Sequence, residues 1–234
     1  MQYYPLFLDI TSYKCLVLGA GAVARRKIDT LIKANPMEIV VIDPFLSEFD
    51  FITEFQKEYG YEVNVTYFQR EFEENDLENV RLAFAATNDS TVNGDFIKLC
   101  KEKNIFCNVI EGAKRGDFIV PAHLDFESLL IAVSTSGVSP AFTRALKEDL
   151  GFYVARGYVP FLCLLRLLRP LILEYVAESK RTNIFRALVA RDFREEIMAL
   201  LELRKMGEIR RKLATVLPEA VIARINDKEL FMKK

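Results

Sequence analysis

Short apolar runs alternate with amphipathic stretches through the first half of the chain, the pattern of strand–helix–strand units that close on a parallel sheet. Cys15–Leu18 reads as a buried strand and Ala22–Lys33 as the helix that follows it. Glu38–Ile42 is a second strand, stopped by Asp43-Pro44. A helix is expected over Ser47–Tyr59, strands at Val63–Phe68 and Leu82–Ala86, a helix over Val92–Lys103 and a further strand at Phe106–Ile110. Phe118–Val120 and Leu129–Ser134 read as extended pieces that add to the sheet or flank it. After Ser139-Pro140 the apolar positions recur at helical spacing through Phe142, Ala145 and Leu146, and no strand pattern follows. Three or four helices are expected from there to Lys234. The fold class is α/β, with a sheet domain over 1–150, a mostly helical C-terminal region over 151–234 and a boundary near Gly151–Gly157.

Composition narrows the class of protein. The 234 residues are 51% hydrophobic and 28% charged, an ordinary globular balance that needs no staples. Four cysteines (Cys15, Cys100, Cys107, Cys163) form no C-x-x-C pair, and His123 is the only histidine, so neither a zinc cage nor any other dedicated metal site is expected. Reduced thiols in a cytoplasmic protein are the plain reading. The N-terminal MQYYPLFLDI lacks the basic start and long apolar core of a signal peptide. Val159–Val176 is strongly apolar but carries Arg166, Arg169 and Glu174, with Pro170 inside it. Three charges cost several kcal/mol in a span, so this stretch is read as a buried helix pair at a subunit interface, not a membrane segment.

Charge is unevenly divided. Residues 1–150 carry 15 Lys/Arg against 23 Asp/Glu, and residues 151–234 carry 17 against 10. A basic second half could attract an acidic ligand or nucleic acid; two folded parts with different solvated faces explain the split equally well.

Gly19-Ala-Gly21-Ala22-Val23-Ala24 matches G-x-G-x-x-G/A between a predicted strand and a predicted helix, the Rossmann arrangement. Gly19 permits the tight turn, Gly21 leaves room for a pyrophosphate, and Ala24 lets the helix lie close on the sheet. N–H groups at the helix start, at Ala22 and Val23, then face the phosphates. Asp43 ends the second strand 24 positions after Gly19, followed by Pro44. A carboxylate there accepts the ribose hydroxyls and repels a 2′-phosphate, which favours NAD over NADP. Arg25 and Arg26, one turn into the helix, leave NADP open. Thr87 and Asn88 follow the fourth strand, at the carboxyl edge where open α/β sheets bind ligands, and Asn93 either fixes that loop or caps the next helix.

Six segments in order resemble the siroheme synthase family: Tyr4-Pro-Leu-Phe-Leu-Asp9, CLVLGAGAVARRK from Cys15, Ala86-Thr-Asn-Asp-Ser-Thr-Val-Asn93, Asn108-Val-Ile-Glu111, Asp117-Phe-Ile-Val-Pro-Ala122 and Ile131-Ala-Val-Ser-Thr-Ser-Gly-Val-Ser-Pro140. The likeness is to its precorrin-2 dehydrogenase module, which in some members is also a sirohydrochlorin ferrochelatase; it is close over about 1–150 and loose over the next fifty. The resemblance implies NAD-dependent oxidation of precorrin-2, a reduced tetrapyrrole with eight carboxylates, to sirohydrochlorin. In bifunctional members Fe2+ then enters the macrocycle as a substrate. It also implies a homodimer formed through the helices that follow the nucleotide domain, with dimerisation strands appended to the first domain, and neither nucleic acid nor membrane is expected as a partner.

The resemblance further implies a working carboxylate after the Asn108-Val-Ile run. The family usually has Asp where this chain has Glu111, which reaches one methylene further; Asp117 is the rival for the role. Asn108, the small-residue loop Ser134-Thr135-Ser136-Gly137 and Arg144 are the substrate-binding candidates, although the loop reads equally as a polar turn and Arg144, with Lys147, as solvated surface. The family usually has Thr-Gly-Gly at Thr135-Ser136-Gly137. His123, in an expected loop, is read as structural. The competing functional class is an NAD-sensing regulator whose basic helices bind a partner; a protein that keeps the fold but only inserts metal is a third.

Overall fold

The architecture comes from a computed structural model that describes residues 3–45, 62–109, 116–126 and 128–226. Residues 1–120 and 121–234 form two separate compact units.

In the first unit, β1 (Lys14–Leu18), β2 (Glu38–Ile42), β3 (Asn64–Phe68), β4 (Val80–Ala85) and β5 (Phe106–Val109) make a parallel sheet in the order β3-β2-β1-β4-β5. Helices α1 (Ala22–Lys33) and α2 (Ser90–Glu102) supply the crossovers. Period-two alternation divides each strand between two cores. Cys15 and Val17 of β1, Ile39 and Val41 of β2, and Leu82 and Phe84 of β4 pack with Ala24, Ile28, Leu31 and Ile32 of α1. Leu16, Leu18, Val40, Ile42, Ala83 and Ala85 pack with Phe96, Ile97 and Cys100 of α2. Both faces are therefore covered, which is why these strands read as continuous apolar runs. The chain order reverses between β1 and β4, so the carboxyl ends of these two strands flank the topological switch point. The expected α/β, Rossmann-type sheet is what the chain adopts, each strand and helix ending within two residues of its expected bounds. The helix expected over Ser47–Tyr59 lies outside the described residues.

The second unit opens with an antiparallel hairpin, β6 (Ala122–Asp125) and β7 (Leu130–Val133). Helices α3 (Pro140–Arg156), α4 (Tyr158–Tyr175), α5 (Glu178–Val189), α6 (Arg191–Glu202), α7 (Met206–Leu213) and α8 (Glu219–Ile222) follow. Phe161, Leu164, Leu168 and Ile172 form one buried stripe on α4, against Leu188, Phe193, Ile197, Leu201, Ile209, Leu213 and Val221 from the helices around it.

Several expectations are corrected here. The division falls at 120/121 rather than near 150, because the β6–β7 hairpin packs on α3: Leu124 Cδ2 lies 3.3 Å from where a Cβ on Gly151 would stand. Leu129–Ser134 contributes to this hairpin and neither adds to nor flanks the parallel sheet, whereas Phe118 and Val120 flank that sheet as expected, packing on its core. His123 sits in β6 opposite Ala132, not in a loop. Val159–Val176 is one helix, not a pair; Pro170 is tolerated on its exposed side, where water reaches the carbonyl left unpaired. Six helices rather than three or four follow Ser139 among the described residues. Their breaks carry little turn signal: Ala190 alone, at φ −56° and ψ 141°, separates α5 from α6.

The basic excess of the helical unit has local uses. Arg181 donates to the carbonyls of Val176 and Leu173 at the end of α4, at 2.8 and 2.7 Å, and Arg210 to those of Ile222 and Ile225 past α8, at 3.1 and 2.8 Å. Arg156 pairs with Glu202, Arg191 with Glu195, and Lys212 with Glu196. Among the described residues no single helix is long and apolar enough to cross a membrane; α3 and α4 reach that composition only jointly, bent by 45°.

Leu168 is fully buried in the centre of the helical core. Leu168→Ala should cost about 2–5 kcal/mol of stability, read by chemical denaturation, with the range set by how far the helices collapse into the cavity. A cost below 1 kcal/mol would contradict the packing described.

Candidate functional site

The turn from β1 into α1 is built by two glycines with different tasks. Gly19 adopts φ +100°, and its N–H donates to Ile42 O at 2.8 Å. A Cβ at Gly19 would stand 2.6 Å from Ala86 O, so only glycine lets the turn lie against the chain leaving β4. Gly21 is the N-cap of α1 with extended backbone and no side-chain cap. A Cβ there meets nothing within 4 Å, so this glycine keeps open space beside the first-turn N–H groups of Ala22 and Val23. Those donors and the positive end of the α1 dipole make an anion site.

Asp43 follows β2, and its carboxylate ties two segments together. Oδ2 accepts from Ala20 N at 2.8 Å and Oδ1 from Phe45 N at 2.8 Å, across the exposed Pro44. Each carboxylate oxygen has a second lone pair, so the group can take ribose hydroxyls without giving up either bond. Tyr67 donates its hydroxyl to Asp43 O at 3.0 Å; burial, with the Asp43 charge beside it, pushes the Tyr67 phenol up and keeps it a donor. Sequence reasoning missed Tyr67, although the parallel register puts it opposite Val41, two residues before Asp43.

Thr87 and Asn88 leave the end of β4. Asn93, buried at 4% exposure on α2, holds Thr87 from both sides: Nδ2 donates to Thr87 O at 2.9 Å, and Oδ1 lies 2.8 Å from Thr87 Oγ1 and 3.3 Å from Thr87 N. The cap of α2 is instead Asp89, which accepts from Thr91 N and Val92 N. Asn93 is thus a clamp on the loop. Asn88 is exposed.

At the outer edge of the sheet, Asp117 accepts from Cys107 N through Oδ2 at 3.0 Å and donates its own N–H to Cys107 O at 2.8 Å. Asn108, 6% exposed, donates to Phe118 O at 2.8 Å. Asp117 therefore satisfies the peptide groups of Cys107 at the free edge of β5, and Asn108 ties the following segment to the strand. Gly116, also missed from sequence, passes so close that a Cβ would stand 2.3 Å from Cys107 O. Glu111 lies outside the described residues. Thiolate chemistry is disfavoured at Cys15 and Cys107: burial pushes the Cys15 thiol up to about 12, and a hydrogen bond with Cys100, together with burial, pushes the Cys107 thiol up.

The remaining candidates belong to the second unit. Ser134 Oγ accepts from Ser136 N at 3.1 Å, and Thr135 Oγ1 lies 3.0 Å from Thr143 Oγ1 and accepts from Ser139 N at 3.2 Å. Ser136 and Gly137 have φ +54° and +88°, and Ser139 caps α3 through Phe142 N. This loop is a hydrogen-bonded turn leading into α3. Arg144 is exposed and pairs with Glu148 at 3.3 Å, an interaction weak enough to exchange for another carboxylate.

An open parallel sheet whose first strand turns on glycine into an uncapped helix, with a carboxylate after its second strand, defines a dinucleotide-binding domain. A family model described as "Putative NAD(P)-binding" matches residues 6–122. The chain belongs to this NAD(P)-binding family. The siroheme synthase of Pseudoalteromonas atlantica is 36% identical over 150 residues, 64% of this chain and 31% of that protein. Siroheme synthase 2 of Klebsiella pneumoniae is 35% identical over 150 residues and the same shares. The chain thus spans about a third of the length of the curated relatives it matches. A solved structure titled SirC, precorrin-2 dehydrogenase, is similar over 89% of this chain and 100% of that one, with a TM-score of 0.68 and 27% identity.

The two glycines separate in experiment. Gly21→Asp should leave the thermal midpoint nearly unchanged and abolish dinucleotide binding, because its side chain and charge enter only the phosphate space. Gly19→Ala should cost at least about 1–2 kcal/mol, from the left-handed backbone alone. Calorimetric titration and thermal unfolding of both variants check this; normal binding by Gly21→Asp would contradict the site.

Proposed function

We propose that the protein binds NAD+ and oxidises precorrin-2 to sirohydrochlorin. The observation that carries this reading is the likeness to the precorrin-2 dehydrogenase SirC along the whole of that chain, on a first unit whose glycine turn, α1 N-terminus and Asp43 fit a dinucleotide.

Bound NAD supplies the hydride acceptor; the other tasks fall to the chain. The N–H groups of Ala22 and Val23 hold the pyrophosphate beside Gly21, and Asp43 orients the adenosine ribose and repels a 2′-phosphate. Thr87 and Asn88, steadied by Asn93, line the nucleotide side, with Pro44 limiting the turn after Asp43. Glu111 accepts the proton lost with the hydride. Asp117 is the weaker candidate because its carboxylate already serves the Cys107 N–H. Asn108, Ser134, Thr135, Ser136, Gly137 and Arg144 are assigned to the macrocycle, Arg144 to one of its carboxylates.

The partner we assign is a second copy of the chain, supported by the exposed Val138, Phe142, Phe152 and Tyr153 of the second unit. Four unpaired cysteines support a reducing, cytoplasmic setting. An NAD-sensing regulator is less well supported, since the arginines behind its charge argument cap helices and pair with glutamates.

Purified protein incubated with precorrin-2 and NAD+ should form NADH and sirohydrochlorin, several-fold more efficiently than with NADP+. No NADH formation would overturn the reading. Fe2+ added to the same incubation tests metal insertion, in which iron enters as substrate.

Glu111→Ala should lower turnover at least about a hundredfold, within the usual range for a lost general base, while NAD+ affinity stays intact. Glu111→Asp should remain active, and Asp117→Ala should chiefly lower stability. Normal turnover by Glu111→Ala together with a folded, inactive Asp117→Ala would move the role to Asp117.

A further inference from the structure

Phe45 is 91% exposed, the highest exposure among the large hydrophobic residues described. Among the described residues its ring has no aromatic or cationic partner. Its backbone, by contrast, is fixed: Phe45 N donates to Asp43 Oδ1 at 2.8 Å, and Pro44 between them has a locked φ. Asp43 is itself held by Ala20 N, by Tyr67 through its carbonyl, and by its own N–H to Phe68 O at 3.2 Å. A bare phenyl on so restrained a turn does nothing for the core. Its exposed face is open to an occupant.

The chemistry of that occupant follows from the neighbour. Phe45 is two residues from the carboxylate suited to a ribose, a backbone separation of at most roughly 7 Å. The group joined to a ribose held there by its 2′- and 3′-hydroxyls is a base, a flat π-system of the right size to cover one phenyl face. Of the other aromatics at this edge, Tyr67 packs against the core and donates to Asp43 O, and Phe68 is 39% exposed and already has the Arg70 guanidinium 5.0 Å from its ring centre. Arg70 in turn is held bidentately by Asp76 at 2.6 and 2.8 Å. Phe45 is left as the uncovered face. We propose that Phe45 is the platform on which the adenine ring of the dinucleotide stacks, so that Asp43 and Phe45 together recognise adenosine. This rests on the NAD reading above and adds to it a residue that acts on the base rather than on the phosphates or ribose.

The chain contains no tryptophan, so Phe45→Trp introduces a single emitting indole. Its emission should be quenched by NAD+ and by AMP, and not by nicotinamide mononucleotide, with NAD+ affinity kept. Phe45→Ala should bind NAD+ and AMP about tenfold more weakly, about 1.4 kcal/mol, within the usual worth of one base stacked on one aromatic. Its thermal midpoint should equal that of the wild type, since the ring is almost fully exposed. Wild-type affinity in Phe45→Ala, or an indole blind to AMP while NAD+ still binds, overturns the stacking role and leaves the NAD reading standing. Absence of saturable NAD+ binding by the wild-type protein overturns both.

Discussion

The first unit depends on how closely the turn after β1 lies against the chain leaving β4. Gly19 makes that approach, with Ala86 O only 2.6 Å from the space a Cβ would need. The contact lies at the switch point of the sheet, where crossovers depart in opposite directions and leave the strand ends open. Other polar contacts here hold the same approach from outside. Asp43 reaches back from β2 to Ala20 N, and Asn93 reaches up from α2 to both sides of Thr87. Three strand ends are thereby fixed before a ligand arrives, so little ordering entropy remains to oppose binding.

These anchoring groups are polar and partly or wholly buried, in contrast to the apolar cores that flank the sheet. Asn93 is the clearest example. Its amide is satisfied in both directions by one residue, Thr87, so shortening it would take from the partly buried Thr87 carbonyl its side-chain donor and leave the hydroxyl only Asp89. Asp117 does comparable work at the other end, where β5 has no neighbouring strand and its free peptide groups are taken up by a carboxylate and a main-chain N–H.

Much of this was legible in the sequence because the responsible forces are local. Strand burial on both faces writes itself as apolar runs, and the glycine turn and Asp43 follow a spacing set by nucleotide geometry. What was not legible depends on distant pairs. Tyr67 matters through register with β2, and Gly116 through its approach to Cys107; neither has a local signature. The unit boundary was displaced because β7 reads like any strand, and only packing on α3 assigns it to the helical unit. In the helical unit, single-residue breaks such as Ala190 leave the helical period almost undisturbed. Ser136 shows the reverse case: the resemblance puts glycine there, and φ +54° supplies the reason, since a side chain in that region carries a steric penalty.

The central claim is that the β1–α1 turn, the Asp43 segment and the loop after β4 form one preorganised dinucleotide site. Hydrogen exchange with and without saturating NAD+ tests it most directly. The account predicts new protection at amides 19–24, 43, 45 and 87–89, with little change in α4 to α8. Protection confined to the helical unit, or none at the glycine turn while NAD+ is bound, would contradict it.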